Sequence, residues 1–402
     1  MRLLSGLCLL IFLAVSAGAQ LSDLRCVEGK AGPYPCRSVD LLAFIPRAAF
    51  DAESLNDVWG WTDPLTGREY ALVGLSNGTA FVDITQPARS VIVGKLPTRT
   101  VAAPWRSVKV YSNHMYVVAD HAGLHGVQVF DLTRLRNATP GTTFRETSTY
   151  FGPGLALTFG NQVAEAHSVA VNEESGFLYV VGSRTACSGG LHMVDVRTPA
   201  RPRFAGCFSA DGYTHDTQCV TYRGSDPDHR GREVCLAANE DTLTIVDVTD
   251  KRKPRMLSRS TYAGRGYTHQ GWLTEDHNYF LLNDELDEVR LGGPTRTIIW
   301  DVRNLDQPIV IGEHLFPTRS VDHNLYIHKG LVFESNYTAG LRVLDVSNVA
   351  AGRLTEIGFF DVVPENDDPD SSGTWSNYPF FSSGTVAVSG IEQGLFLVRV
   401  VR

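Results

Sequence analysis

One phrase recurs through the chain: an alternating apolar run that ends in Asp and is followed by a turn. It reads "GTAFVDIT" (78–85), "GVQVFDLT" (126–133), "GLHMVDVR" (190–197), "DTLTIVDVT" (241–249), "RTIIWDVR" (296–303) and "GLRVLDVS" (340–347). A seventh copy, "GLFLVRVV" (394–401), carries Arg399 where the others carry Asp83, Asp131, Asp195, Asp247, Asp301 and Asp345. Around each copy an opening strand such as "HSVAVN", a second such as "FLYVVGS" and a fourth such as "RPRFAGCF" repeat as well. Four short strands in a period near fifty is the signature of a β-propeller blade. Seven copies predict an all-β, seven-bladed propeller with four-stranded blades. The 37 glycines and the β-branched runs agree, and no stretch has sustained helical periodicity. The recurring Asp is expected to cap the turn after each third strand by accepting from nearby backbone N–H groups.

The seventh copy lacks a fourth strand because the sequence stops after it. "VDLLAFIP" (39–46), ahead of the first blade, resembles fourth strands such as "EIGFFDVVP". Pairing it with the last blade would close the ring and remove two raw sheet edges. The expected organisation is therefore a propeller over residues 39–402 and a disulfide-pinned lead-in over 20–38, preceded by a signal peptide at 1–19. The last rests on "MRLLSGLCLLIFLAVSAGA", with one early Arg, a short apolar run and small residues before Gln20. The sequence ends at "GLFLVRVVR" without a hydrophobic tail, and no later segment has the ~20 apolar residues of a membrane span. A secreted, soluble monomer is expected.

Loss of Cys8 with the signal leaves Cys26, Cys36, Cys187, Cys207, Cys219 and Cys235. An even number in an exported chain suggests three disulfides, and no Cys-x-x-Cys pair supports zinc instead. Many pairings are open; the nearest-neighbour set is Cys26–Cys36, Cys187–Cys207 and Cys219–Cys235. Sequons at Asn77, Asn137 and Asn336 would be glycosylated in a eukaryotic host. The formal net charge of −8, with positive residues scattered apart from "KRKPR" (251–255), makes nucleic acid an unsuitable partner.

Several phrases outside the repeat, "YPC" (34–36) before "VDLLAF" (39–44), "NDVWGW" (56–61) and "GTWSNYPFF" (373–381), together with the "VDVT"-like strands, resemble the choice-of-anchor B family of secreted propellers built on the LVIVD repeat. The resemblance spans nearly the whole mature chain. It implies an exported seven-bladed propeller and brings no activity or catalytic residues. Family members commonly carry a surface anchor, from which this sequence departs by ending at its last blade.

Aligning the blades on their opening strands puts His167, His215, His269 and His323 in one place. The matching positions elsewhere are Asn56 in blade one, roughly Arg106 in blade two and Asn377 in blade seven. First strands line the channel of a propeller, so these residues should ring one mouth. Second strands end at the same face in Asp120, Glu240, Asp284, Glu285 and Glu334. Four imidazoles backed by carboxylates could hold a divalent transition metal, the carboxylates fixing each tautomer. The competing account is that each His bonds the backbone of a neighbouring blade and seals the ring.

Weaker signals have simpler readings. "GLSNG" (74–78) has the spacing of a hydrolase elbow but places Ser76 between two strands, where no strand-to-helix turn exists. "DPDSSG" (368–373) begins like a calcium loop yet has Pro379 at the twelfth position, so a plain acidic turn is expected. His229, in a loop insertion, is expected to face solvent. Two functions fit: a module that binds an extracellular protein, glycan or small molecule at the channel mouth, or a metal-dependent oxidoreductase or hydrolase using the four histidines.

Overall fold

The computed structural model describes residues 21–153 and 161–401; the expected signal peptide lies outside them. Seven antiparallel sheets form a ring. Their inner strands are Leu55–Thr62, Trp105–Tyr111, Ser168–Asn172, Asp216–Thr221, Thr268–Leu273, Leu325–His328 and Thr374–Tyr378, for blades one to seven. Each continues outward as a meander; in blade four the order is Asp216–Thr221, Glu233–Ala238, Leu243–Asp247 and Arg255–Ser260.

Closure is as expected. Val39–Pro46 pairs antiparallel with Gly394–Val400 as the fourth strand of blade seven, from Gly394↔Pro46 to Val400↔Val39 with one register shift between Leu397 and Val398. Arg399, in the place of the repeated Asp, sits opposite Asp40. Apolar side chains lock this joint: Phe44 stacks on Phe396 at 4.5 Å, and Tyr34 meets Phe396 edge-on at 5.2 Å. Leu41, Val388, Phe396 and Val398 belong to one buried cluster with Val343 and Phe360 of blade six. The lead-in does more than tether. Ser22–Leu24 adds outside blade seven, and the hairpin Lys30–Ala31/Tyr34–Arg37 adds to Thr355–Phe360 of blade six.

All six repeated aspartates make the same turn. Asp83, Asp131, Asp195, Asp247, Asp301 and Asp345 each accept from the backbone N–H two residues on, at 2.7–3.0 Å. The repeat is thus a backbone device, since an Asp at a strand end can bond its own chain where the ladder stops. The disulfides are Cys26–Cys36, Cys187–Cys207 and Cys219–Cys235. Cys219 and Cys235 face each other across the hairpin of blade four. Three disulfides fit an extracellular protein. Among the described residues no helix is long and apolar enough to cross a membrane.

The three sequons differ in access. Asn336 is fully buried at the end of a second strand, so a glycan there is incompatible with the fold. Asn77 is half-buried, with its amide donating to the Asp51 carbonyl at 2.8 Å. Only Asn137, exposed at the end of a short 3-10 turn, is freely presented.

Two outcomes are expected. Deleting residues 39–46 leaves blade seven with three strands and a bare edge, so the truncated protein should aggregate or lose cooperative unfolding. A monomer by size exclusion with an unchanged melting temperature would show that the ring closes some other way. Expressed in a glycosylating host, the protein should carry glycan at Asn137 and none at Asn336 by glycopeptide mapping.

Candidate functional site

The inner strands begin at one channel mouth, and backbone irregularities there aim side chains inward. In blade five the pairing Thr268↔Asp284 jumps to Gln270↔Asn283, leaving His269 as the extra residue. In blade seven Thr374↔Gly390 jumps to Ser376↔Ser389, leaving Trp375. A bulge of this kind re-aims one side chain without ending the strand. It also corrects the alignment: the blade-seven counterpart of the histidines is Trp375, and Asn377 lies beyond it, donating to the Phe333 carbonyl and Ser335. In blade two Trp105 lines the mouth, while the Arg106 guanidinium is spent on the Leu75 carbonyl and Thr98. Asn56 does match, donating to the Pro104 carbonyl of blade two at 2.9 Å.

The four histidines form an arc. Successive ring centroids lie 4.1, 4.3 and 4.3 Å apart from His167 through His215 and His269 to His323, and Trp375 follows at 4.6 Å. Each ring has two roles. His215 Nδ1 donates to the His269 carbonyl at 3.1 Å, His269 Nδ1 to the His323 carbonyl at 3.1 Å, and His323 Nδ1 to the Trp375 carbonyl at 2.5 Å. Those contacts stitch blade to blade. Because a carbonyl can only accept, they fix the N–H on Nδ1, and a neutral ring then carries its lone pair on Nε2. His167 differs, its Nδ1 pairing with Asp120 Oδ2 of blade two at 3.0 Å.

Burial keeps the rings of His215, His269 and His323 neutral. It pushes His215 well below the ordinary histidine value, helped by His167 and His269, and brings His269 and His323 down to about 3. Burial would raise Asp120, but the His167 ring and the His121 amide outweigh it and hold that carboxyl below its usual range.

The expected carboxylates divide. Asp120, Glu240 and Glu285 line a hollow of about 350 Å³ with His167, His215 and His323. Glu285 stands 3.6 Å from His269 Nε2 and 3.8 Å from His323 Nε2, held by the Tyr337 hydroxyl at 2.9 Å. Asp284 and Glu334 are elsewhere. Asp284 accepts from the Gly266 and Tyr267 amides and from Tyr262, bracing the turn before His269. Glu334 is fully buried between blades, accepting from Thr297 at 2.7 Å, and burial raises it to about 7. His215, His269 and Glu285 offer donor atoms all within 4.8 Å of one another, so the set that could share one ion is two histidines and a carboxylate, not four histidines. His269 Nε2 is buried and has no hydrogen-bond partner among the described residues.

Sequence reasoning missed the aromatic rim. Trp105, Tyr213, Tyr267 and Trp375 line the mouth, with Tyr267 edge-on to His215 at 5.3 Å and bonded to Glu240 at 3.1 Å. The signal was present in the repeated "GYT" at 212–214 and 266–268. A second hollow of about 280 Å³, farther along the same inner strands, was not anticipated either. Trp59, Trp272, Tyr326, Tyr378 and Phe380 wall it. Lys109 lies over the Trp59 ring at 4.2 Å and near Asp57 at 3.4 Å.

Of the weaker signals, His229 is the correction: it is buried, its Nε2 bonded to Asp306 at 2.8 Å, because the insertion folds back onto blade five. Ser76 accepts the Glu53 amide between two strands, and Asp370 closes a simple turn on Ser372.

No protein-family model matches the chain, and no curated protein does. Solved structures do. The β-propeller domain of Cps50 (Swd1) from Myceliophteria thermophila aligns with a TM-score of 0.53 at 12% identity, over 86% of this chain and 98% of that one. Hydrazine synthase of Kuenenia stuttgartiensis gives 0.54 at 10% identity, over 87% and 96%. A chain of the mitotic checkpoint complex gives 0.53 at 13%, over 87% and 90%. At these identities the likeness is one of fold alone.

The histidine geometry has a pH signature. Folded values below the ordinary 6.5 mean that the unfolded chain takes up these protons first. Their contribution to stability is complete above pH 6.5 and lost as pH falls from there towards 3, at about 1.4 kcal/mol per histidine per pH unit. Imidazole ¹⁵N NMR should find His215, His269 and His323 as Nδ1–H tautomers with no titration above about pH 5. A midpoint near 6.5 for any of them would contradict the buried arrangement.

Proposed function

We propose that this protein is an exported binding propeller, akin to the choice-of-anchor B family, whose histidine mouth engages a ligand through a positive centre or strong hydrogen-bond donor. One observation carries the reading. Lone pairs on Nε2 of His269 and His323 face Glu285 oxygens at 3.6 and 3.8 Å, acceptors opposite acceptors. Such a pair is satisfied by something that donates or is cationic between them. The rim of Trp105, Tyr213, Tyr267 and Trp375 adds faces on which a cation or a flat group can rest. The expected partner is an extracellular small molecule, glycan or protein side chain bearing such a group.

A second reading is favoured by the bare, buried Nε2 of His269. An imidazole whose Nδ1–H is bound to a backbone carbonyl is oriented as metal-ligating histidines are. His215, His269 and Glu285 would then hold a divalent transition metal, with the hollow above giving a substrate access to it. Metal-assisted hydrolysis or oxidation is the chemistry that arrangement would support.

Calorimetric titration separates these readings. Zinc, nickel and copper salts form one arm, and spermidine and guanidinium the other, each against wild type and a His215→Gln/His269→Gln variant. One arm should bind wild type, with affinity falling at least about tenfold in the variant. If neither arm binds, or if binding survives the double substitution unchanged, the mouth is a structural seam.

A further inference from the structure

Beneath the mouth, blades five and six meet in a cluster of carboxylates that the histidine site does not use. Asp287 and Glu288 lie on the short turn of helix Asp287–Arg290, inserted between the second and third strands of blade five. Asp322 comes from blade six, immediately before His323. Donor oxygens of the three lie within 4.8 Å of one another. Their exposures are 5%, 2% and 0%, so water does not screen them.

The hydrogen bonding leaves the centre bare. Asp322 Oδ2 accepts from Asn283 at 2.8 Å and from the Asp284 amide, and Asp287 Oδ2 is taken by Arg296. Among the described residues no donor reaches Asp322 Oδ1, Asp287 Oδ1 or either oxygen of Glu288. Arg296 supplies one positive charge for three carboxylates and shares it with Glu313 at 2.9 Å. Buried carboxylates packed this closely repel unless a cation or shared protons lie among them, and four bare oxygens aimed at one centre offer a cation its ligands.

We infer that Asp287, Glu288 and Asp322 form a calcium site that clamps the blade-five insertion to the entry of blade six. An all-oxygen, carboxylate-rich donor set suits a hard cation over zinc or copper. One oxygen from each of the three lies within 4.8 Å of the others, close enough to share one ion. Calcium accepts an irregular set of oxygens, whereas magnesium demands a near-ideal octahedron and gives up its waters reluctantly, so a buried protein-only carboxylate set suits calcium. The clamp sits between two residues of the mouth: Glu285, two positions before Asp287, and His323, one after Asp322. Calcium at this point holds both in place without touching the ligand.

The test is thermal unfolding of the full mature protein after chelation with EGTA, with calcium, magnesium or zinc chloride restored. A Kd of about 10⁻⁴ M, at the tight end for extracellular modules, makes about 10 mM calcium a hundredfold excess. That should raise Tm by about 3 °C for a chain of this size. Flame or plasma emission should find one calcium per chain after dialysis against calcium chloride. Glu288→Gln and Asp322→Asn, each isosteric, should abolish the calcium response while leaving the EGTA-treated Tm unchanged or higher, since each removes a repelling charge. A zinc response that survives Glu288→Gln belongs to the histidines, which keeps the two sites separable. Absence of both the shift and the stoichiometric calcium in wild type, or an equal shift in both variants, would overturn the assignment and leave shared protons as what holds the cluster.

Discussion

Everything in this molecule hangs on one antiparallel pairing between the two ends of the chain. Seven blades arranged in a ring close only if the last sheet is completed, and its fourth strand is Val39–Pro46, laid against Gly394–Val400. The pairing satisfies backbone groups that would otherwise form two open edges, and it buries Phe44 against Phe396. Cys26–Cys36 then pins the hairpin that extends blade six, so the segment feeding the closing strand is itself fixed to the neighbouring sheet.

Closure creates a second problem at the axis. The inner strands of adjacent blades diverge and cannot share a ladder, yet they are buried around the channel. Side chains bridge the gaps. Gln218 accepts the Leu273 amide, Gln270 accepts the Leu325 amide, Asn56 donates to a carbonyl of the following blade and Asn377 to one of the preceding blade. The histidines belong to this series, nearer the mouth, each Nδ1 of His215, His269 and His323 bonding a carbonyl of the following blade. An amide side chain would have sealed the ring equally well. An imidazole differs in having a second nitrogen, and with Nδ1 committed to the seam, Nε2 is directed at Glu285. The structural and chemical readings of the repeat therefore describe opposite sides of one ring.

How much of this could be read in the sequence follows from which features are periodic. The Asp turn and the missing fourth strand recur or fail to recur at blade spacing, and period-2 alternation gives their facing directly. The arc of four histidines was legible for the same reason. What escaped depends on single-residue insertions. The bulges at His269 and Trp375 add one residue to an inner strand, so counting along blade seven pointed to Asn377 in place of Trp375. Asp284 and Glu285 are adjacent and equally acidic, and only the end of the strand decides which faces the channel. His229 looked solvent-facing because loop insertions usually are, until Asp306 from the following blade is brought within 2.8 Å. The aromatic hollow was in view as "NDVWGW" and "GTWSNYPFF", whose Trp59, Tyr378 and Phe380 come together only when blades one and seven are neighbours.

The stretch from Asp284 to Glu288 concentrates these lessons. Of its four acids in five positions, Asp284, Asp287 and Glu288 are buried and Glu285 faces the mouth. Asp284 braces the Gly266–Tyr267 turn that delivers His269 to the channel wall. Glu285 then faces His269 from the opposite side, oriented by Tyr337 of blade six. Asp287 and Glu288 turn back beneath the same blade junction towards Asp322. The spacing between His269 and Glu285 is therefore set by a loop held at both ends, by a turn on one side and a neighbouring blade on the other. A site built from an inner strand alone would leave its carboxylate on a free loop; here the insertion that supplies the carboxylate also supplies its anchor.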